Sequence, residues 1–185
     1  RTDLVGEAAY AELVVVQERD AVAGGDLEPA EAGALPLAGL TAYQCLHDAL
    51  AIRAGETVAV RAASGGVGTF AVQLARAFGA EVTGVCGPRN VELVRSIGAD
   101  EVVNYAKEDF TRSGRRYDLL LDIAGNRPVS ACRRVLAPKG NHVLVGGPGG
   151  RWLQPLGHVF SALATSPFVS QRTALTDTTR CTENR

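Results

Sequence analysis

The segment Val58–Gly68 constrains the fold of this chain more than any other, because an apolar strand pattern there runs into a glycine-rich turn and then into a helix. The residues after the turn repeat at helical spacing and give the helix one apolar face, made by Val67, Phe70, Ala71, Leu74, Ala75 and Phe78. A strand, a glycine turn and a helix in this order seat the pyrophosphate of a dinucleotide. The turn therefore predicts a cofactor site at Ser64, Gly65, Gly66, Val67 and Gly68.

Each glycine of the turn has an expected role. Gly65 lets the backbone approach the phosphate oxygens, Gly68 lets the helix pack closely on the strand, and the N–H groups near Gly66 and Val67 meet the anion. Ala63 replaces the first glycine of the G-x-G-x-x-G pattern, and a small residue can still form the turn. A methyl-donor nucleotide site and plain close packing are the alternative interpretations of such a junction.

After the turn, the sequence alternates regularly between strand and helix patterns. Strands are predicted at about Thr57–Ala62, Glu81–Cys86, Glu101–Asn104, Tyr117–Asp122 and Asn141–Val145. Helices are predicted at about Pro29–Leu35, Gly39–Leu50, Gly66–Phe78, Arg89–Ile97 and Pro128–Leu136, the last of them stopped by residues 136–140. This alternation is typical of an α/β fold, and right-handed crossovers make it a doubly wound (Rossmann) parallel sheet with helices on both faces.

Both ends of the chain depart from this alternation. Residues 8–16 predict a strand without obvious partners, and residues 168–172 are a candidate sixth strand. Residues 173–185 lose both periodicity and apolar content, so we expect a disordered tail there.

Composition narrows the class of protein. The 185 residues suffice for one α/β domain of about 120–150 residues and an appendage. With 19 basic and 20 acidic residues and no basic run, we expect no nucleic-acid partner. No apolar stretch is long enough to span a membrane and no secretory leader is present, which predicts a cytoplasmic protein without a membrane partner.

The reactive side chains show no pattern of their own. The four cysteines are widely spaced and no C-x-x-C pair occurs, so we expect thiols and no metal site. The three histidines are equally scattered. His47 and Asp48 are adjacent on a predicted helix and should point to different faces, as surface residues. No nucleophile is paired with a base, and Ser64 does not lie in a hydrolase elbow.

Several segments recur in one known order: residues 9–16, 35–43, 62–68, 97–105, and Asp118 with Asp122 before Gly125. On these segments the sequence resembles the medium-chain dehydrogenase/reductase superfamily, in its zinc-independent quinone oxidoreductase, or zeta-crystallin-like, branch. The resemblance covers roughly residues 5–172 and is expected to end after Arg172. It implies NADPH as cofactor, hydride transfer to a quinone, enone or related conjugated carbonyl, a small-molecule substrate, and a homodimer for the full-length enzyme.

The resemblance also implies a domain division. Residues 1–36 are expected to be a remnant of the GroES-like catalytic domain and a linker, residues 37–172 the NADPH-binding Rossmann domain, and residues 173–185 a tail. Since the family carries about a hundred further residues before this region, and the chain opens on Arg1, we expect a fragment. The alternative function is therefore a catalytically incompetent NADPH-binding domain.

The end of the second strand bears on cofactor choice. NAD sites place a carboxylate there, and a methyl-donor site also wants an acid, whereas this strand is followed by Arg89. Its guanidinium could bind a 2′-phosphate, which favours NADPH; the alternative is a solvated helix residue. By resemblance, Tyr105 lies over the adenosine end of NADPH, or else is a strand-edge aromatic. Thr41 matches a threonine that contacts the nicotinamide carboxamide, or else is a helix-start residue.

The remaining candidates follow the fourth and fifth strands, where ligands of doubly wound sheets bind: Asp122, Gly125, Val145, Gly146 and Gly147. Asp122 either contributes to binding or accepts loop amides. In zinc-containing relatives a cysteine ligand lies four residues before the threonine that matches Thr41, and this chain has Leu37 there. The resemblance therefore implies hydride transfer without a Lewis acid.

Overall fold

The computed structural model describes residues 21–145 and the backbone of residues 172–175. Its described strands form one sheet and are numbered in chain order: β1 (Thr57–Arg61), β2 (Glu81–Cys86), β3 (Glu101–Asn104), β4 (Tyr117–Asp122), β5 (Leu136–Leu144) and β6 (Arg172–Leu175). All pairs are parallel, in the order β3-β2-β1-β4-β5-β6. The order reverses between β1 and β4, which confirms the predicted doubly wound sheet.

Helical segments connect these strands: α1 (Pro29–Gln44), a π-helical turn (Cys45–Ala49), α2 (Gly66–Ala77), a 3₁₀ turn (Pro88–Asn90), α3 (Val91–Ser96), a second 3₁₀ turn (Phe110–Arg112) and α4 (Val129–Arg134). Gly79 and Gly98 follow α2 and α3 with φ of 81° and 110°. These left-handed conformations end both helices, as the sequence predicts. Among the described residues, no helix is both long enough and apolar enough to cross a membrane.

The two faces of the sheet have separate cores, because successive strand residues point to opposite sides. Val58, Val60, Leu119 and Leu121 pack on the face that also holds the apolar sides of α1, α2 and α3. Ala59, Leu120 and residues of α4 and the Phe110 turn pack on the other face. The register pairs Arg61 with Asp122 at the ends of β1 and β4. By the same alternation, both of these charged residues belong to the second face.

The predicted break between two early helices is wrong, because α1 continues from Pro29 through Pro36 to Gln44. Proline removes one N–H from the helix, and this half of α1 is largely exposed, so water can replace the lost hydrogen bond. The helix also crosses the boundary expected between residues 36 and 37. The strand predicted at residues 8–16 lies outside the described residues.

A second correction concerns residues 136–140, which were predicted to end a helix. They form the first half of β5, while α4 ends at Arg134. The Tyr117 N–H donates to Val135 O (2.8 Å), and the β4–β5 register then shifts between Tyr117 and Leu119. A Cβ on Gly140 would lie 3.0 Å from the carbonyl oxygens of Tyr117 and Asp118. This irregularity lets a segment with a proline join the sheet.

The last described strand lies further along the chain than expected. β6 spans Arg172–Leu175 and pairs with β5 from Asn141↔Arg172 to Leu144↔Leu175. The predicted disordered tail is therefore wrong for residues 173–175, because backbone pairing with β5 does not depend on the apolar periodicity that the sequence lacks there. Residues 176–185 lie outside the described part.

Candidate functional site

The glycine turn brings α2 unusually close to the end of β1. A Cβ on Gly68 would lie 2.1 Å from the carbonyl oxygen of Ala62, a distance no side chain tolerates. A Cβ on Gly65 would lie 3.3 Å from the same oxygen, whereas one on Gly66 would meet no atom within 4 Å. Gly68 therefore has the packing role that the sequence predicts, and Gly65 and Gly66 form an exposed edge.

The first turn of α2 presents several backbone donors at that edge. The Gly65 N–H donates to Ala62 O (2.9 Å), and the first bond of the helix runs from the Thr69 N–H to Gly65 O (2.9 Å). The N–H groups of Gly66, Val67 and Gly68 precede the first residue that can bond within the helix. Gly65 has no side chain to cap them. The turn thus fits a phosphate, which these donors and the helix dipole would bind.

The backbone strain of this turn falls on Ala62. Its φ is +58°, in the left-handed region that disfavours residues with a Cβ. Ala63, the residue that replaces the first glycine of the sequence pattern, is buried and donates its N–H to Val85 O (3.1 Å). The position of this turn that suits glycine is therefore residue 62.

The end of β2 adjoins the glycine turn. Arg89 is exposed in the 3₁₀ turn Pro88–Asn90, with no ion pair to another described residue. Its neighbour Asn90 donates from Nδ2 to Ser64 Oγ (3.0 Å), which ties the two turns together. Sequence reasoning missed Asn90, because the contact joins residues 26 positions apart.

Tyr105 follows β3 and lies across the end of β2. Its N–H donates to Cys86 O (3.1 Å), and a Cβ on Gly87 would lie 2.8 Å from its hydroxyl. The side chain is nevertheless 63% exposed. One face of an aromatic ring is thus available beside the turn that carries Arg89.

Asp122 ends β4 and is 1% exposed. Its Oδ1 accepts from the Gly125 N–H (2.9 Å), its Oδ2 from Arg61 (2.7 Å), and its backbone oxygen from the Val145 N–H (3.0 Å). Burial favours the neutral acid, but the nearby His142 ring, the Arg61 guanidinium and the Gly125 N–H outweigh it and lower the pKa of Asp122. The structure thus shows the loop-amide contact of Asp122, one of its two alternative roles, and its contribution to binding stays a prediction. Gly146 and Gly147 lie outside the described residues.

Asp122 lies at the centre of a buried cluster that the sequence did not predict. Its other members are Arg61, Cys132 and His142. The Asp122 carboxylate, Cys132 Sγ and a His142 nitrogen lie within 4.8 Å of one another, the one such group of potential metal ligands in the described part. However, Arg61 already holds the carboxylate, and burial together with Asp122 raises the pKa of Cys132 to about 12. A protonated thiol and a guanidinium make a poor site for a dication. The sequence did not indicate this cluster because its members are not closely spaced along the chain and are brought together only by the fold.

Thr41 lies in the last turn of α1, so the alternative of a helix-start residue is wrong, and its contact with the nicotinamide carboxamide stays a prediction. Thr41 is 6% exposed and donates its hydroxyl to Leu37 O (2.7 Å), so only its lone pairs are available to a ligand. The expectation that His47 and Asp48 point apart is wrong, because His47 Nδ1 lies 2.7 Å from Asp48 Oδ1. The π-helical bond from the Leu50 N–H to Cys45 O changes the angular spacing of these side chains, which are both exposed as expected.

The opposite, amino edge of the sheet has a cavity of about 270 Å³, lined by Thr57, Glu81, Thr83, Glu101, Arg115, Arg116 and Tyr117. Its charges include an Arg115–Glu101 ion pair. None of the sequence-predicted site residues lines it. Because ligands of doubly wound sheets bind at the carboxyl edge, the candidate site is the edge formed by the glycine turn, Arg89, Tyr105, Asp122, Gly125 and Val145.

Comparison with known proteins identifies relatives along most of the chain. A family model described as a zinc-binding dehydrogenase matches residues 66–181, so the expectation that the resemblance ends at Arg172 is wrong. The chloroplast envelope quinone oxidoreductase homolog of Arabidopsis thaliana is 38% identical over 159 residues, which cover 80% of this chain and 48% of that protein. The quinone oxidoreductase of Pseudomonas aeruginosa is 35% identical over 152 residues, 77% of this chain and 46% of that protein.

Solved structures agree with these relatives. Escherichia coli quinone oxidoreductase complexed with NADPH has a TM-score of 0.71 and 26% identity, covering 85% of this chain and 49% of that chain. A 2-haloacrylate reductase has a TM-score of 0.72 and 26% identity, covering 89% and 52%. The chain thus spans about half the length of the relatives it matches.

Proposed function

Because this chain belongs to the zinc-binding dehydrogenase family, in the quinone oxidoreductase-like branch of the medium-chain dehydrogenases/reductases, we propose that it binds NADPH at the carboxyl edge of its sheet. We further propose that it forms the nucleotide-binding half of an enzyme that reduces a quinone, an enone or a related conjugated carbonyl. The observation that carries the proposal is the glycine turn, where Gly68 permits a helix N-terminus to lie against the end of β1.

The pyrophosphate would be held by backbone groups. Gly65 and Gly66 leave the approach to the first turn of α2 open, and the N–H groups of Gly66, Val67 and Gly68 supply donors. The hydrogen bond from Asn90 to Ser64 fixes the position of the glycine turn relative to the neighbouring 3₁₀ turn.

The 2′-phosphate would distinguish NADPH from NADH. Arg89 supplies an exposed guanidinium, and residues 86–90 contain no carboxylate that would repel a phosphate. The exposed ring of Tyr105 offers a surface for the adenosine end. We therefore propose that this edge prefers NADPH.

The nicotinamide half would lie towards β4 and β5. There Asp122 fixes the loop at Gly125, and Val145 follows β5. Thr41 contributes hydroxyl lone pairs. When bound, NADPH supplies the hydride; the chain's own residues orient it.

We propose that the transfer does not use zinc. Leu37 stands where zinc-containing relatives carry a cysteine ligand, and the buried Asp122–Cys132–His142 group holds a guanidinium and a protonated thiol. Without a Lewis acid, conjugated acceptors that are already activated are the best substrates.

A second candidate function is NADPH binding by this chain without catalysis. α1 exposes Leu37 (68%) and Leu40 (54%), an apolar surface that a further domain of the relatives' kind would cover. Nicotinamide absorbance with a quinone and a short-chain enone separates the two functions. Turnover by this chain alone supports hydride transfer, whereas NADPH binding without turnover supports the alternative.

The cofactor assignment is tested by titrating NADPH and NADH into wild type, Arg89→Ala and Arg95→Ala in a calorimeter. Arg95 is the control, an exposed arginine of α3 that pairs with Glu92. We expect Arg89→Ala to weaken NADPH by about 1.5–3 kcal/mol, the scale of a charge-assisted hydrogen bond, and to leave NADH almost unchanged. Equal losses for both nucleotides would contradict the role of Arg89.

A second variant tests the glycine turn itself. Gly65→Val places a branched side chain against Ala62 O at the exposed edge, so we expect nucleotide binding to be lost while the domain stays folded by circular dichroism. A folded Gly65→Val protein with wild-type NADPH affinity would refute the site.

A further inference from the structure

Arg61 is the last residue of β1, in a strand that is otherwise apolar after Thr57. Its register partner on β4 is Asp122, so the two residues face each other where the strand order of the sheet reverses. That reversal opens the crevice in which doubly wound sheets bind their ligands. Both side chains are buried, with Arg61 6% and Asp122 1% exposed. An arginine–carboxylate pair thus forms the floor of the candidate site.

Among the described residues, the guanidinium contacts Asp122 at the end of β4, Asn126 in the loop that follows (residues 123–128), and the Phe110 ring. Nη1 donates to Asp122 Oδ2 (2.7 Å), and Nη2 donates to Asn126 Oδ1 (2.6 Å). The cation also lies 5.0 Å from the centre of the Phe110 ring, which covers it. The planar, rigid fork of arginine is what allows one side chain to hold both oxygens in fixed directions.

The loop is consequently fixed at two points that both depend on Arg61. Asn126 is held directly. Gly125 is held through Asp122, whose Oδ1 accepts the Gly125 N–H (2.9 Å) while Oδ2 is occupied by Arg61. Without the cation, the buried carboxylate would keep His142 and the Cys132 thiol beside Oδ2. Its movement towards another partner would weaken its hold on Gly125.

We infer that Arg61 is a positioning residue for the nicotinamide half of the dinucleotide: it contacts no reacting atom but holds the loop of Gly125 and Asn126 against that half of the site. This inference rests on the proposed function. It predicts that loss of Arg61 weakens ligands that reach the β4 loop and spares ligands that occupy only the edge formed by the glycine turn, Arg89 and Tyr105.

The test measures two dissociation constants for each variant by calorimetry, one for NADPH and one for adenosine 2′,5′-bisphosphate, which lacks the nicotinamide half. For Arg61→Met we expect the NADPH constant to rise about tenfold or more and the bisphosphate constant to change less than about twofold. Arg61→Lys keeps the charge but not the fork, so it should restore only part of the NADPH affinity.

Arg76→Met is the matched control. Arg76 pairs with Asp100 Oδ1 (2.6 Å), whose Oδ2 accepts the Val82 N–H (2.8 Å), so this more exposed pair also links an arginine to a backbone N–H through a carboxylate, away from the candidate site. We expect Arg76→Met to leave the ratio of the two constants unchanged. If Arg61→Met does not fold, Asn126→Ala carries the test, since it breaks only the loop contact of an exposed residue.

The outcomes separate the two proposals. A selective loss of NADPH affinity in Arg61→Met or Asn126→Ala supports the positioning role. Equal losses for both ligands, or an unchanged ratio in both variants, overturn it while the proposed function stands. A wild-type chain that binds neither ligand overturns the proposed function, and the positioning role with it.

Discussion

At the scale of single residues, the glycine turn contains two constrained positions. One must lack a side chain, and the other has a side chain although its backbone conformation disfavours one. Gly68 meets the Ala62 carbonyl so closely that only glycine fits. Ala62 itself has a φ of +58°, a conformation that costs a residue with a Cβ roughly 1–2 kcal/mol. The close approach of α2 to β1 therefore stores strain at residue 62.

We expect Ala62→Gly to stabilise the protein by up to about 1 kcal/mol, because relief of the left-handed strain exceeds the added entropy of the unfolded chain. Urea unfolding measures the difference. Ala59→Gly, within β1 just before the turn, with strand backbone and full burial, is the comparison and should destabilise. A loss of stability in Ala62→Gly equal to that in Ala59→Gly would show that the turn is not strained.

At the scale of elements, the packing of α3 on β2 depends on Gly84. A Cβ there would lie 2.4 Å from Val94 Cγ1 and 3.2 Å from the Ala63 Cβ. Val94 is fully buried and β-branched, so it cannot move aside by changing rotamer at low cost. The short helix α3 can thus lie on the sheet only where β2 carries no side chain.

We expect Gly84→Ala to destabilise the protein by about 1–3 kcal/mol through overpacking. Val94→Ala alone should also destabilise, because it leaves a cavity. The double variant should be more stable than the sum of the two losses, since the new methyl group occupies the space that Val94 vacates. Additive losses in a double-mutant cycle of urea unfolding would contradict this packing.

The sequence predicted those elements whose signal is local. The strands at Glu81–Cys86, Glu101–Asn104 and Tyr117–Asp122 were predicted with their observed bounds, because apolar runs and helix-ending glycines mark them. It failed where long-range pairing outweighs local propensity, in β5 with Pro138 and in β6.

The candidate site shows the same limit. The glycine turn is a contiguous pattern and could be predicted. The roles of Arg61 and Asn90 could not, because each depends on partners 26 to 65 positions away that only the folded sheet brings together. A charged residue within an otherwise apolar strand was the one available signal for Arg61.

At the scale of the whole molecule, both cores contain a buried thiol whose pKa is raised: Cys86 on one face of the sheet and Cys132 on the other. Cys86 lies among apolar side chains, whereas Cys132 lies next to the buried Asp122 carboxylate. Burial and the adjacent Asp122 raise the pKa of Cys132 from 9.0 to about 12. Below the unfolded pKa this thiol is neutral in both states, and above it only the unfolded chain releases the proton.

The contribution of Cys132 to stability is therefore complete below about pH 9 and is lost as the pH rises towards 12, at about 1.4 kcal/mol per pH unit. We expect Cys132→Ala to have a shallower alkaline decline than wild type in urea unfolding. Cys86→Ala is the control, because burial alone raises the pKa of that thiol, and its effect should be smaller. Identical declines in wild type and Cys132→Ala would contradict the buried position of the thiol.

The ion pair between Arg61 and Asp122 also bears on how this sequence can diverge. Replacing either residue alone strands the other charge in the interior, so a lineage that abandons the pair must pass through a less stable intermediate or change both positions at once. Asn126 accepts a hydrogen bond from the arginine of that pair, whereas Phe110 covers the guanidinium and also packs in the core of the second face. Positions 61 and 122 should therefore have been inherited as a pair.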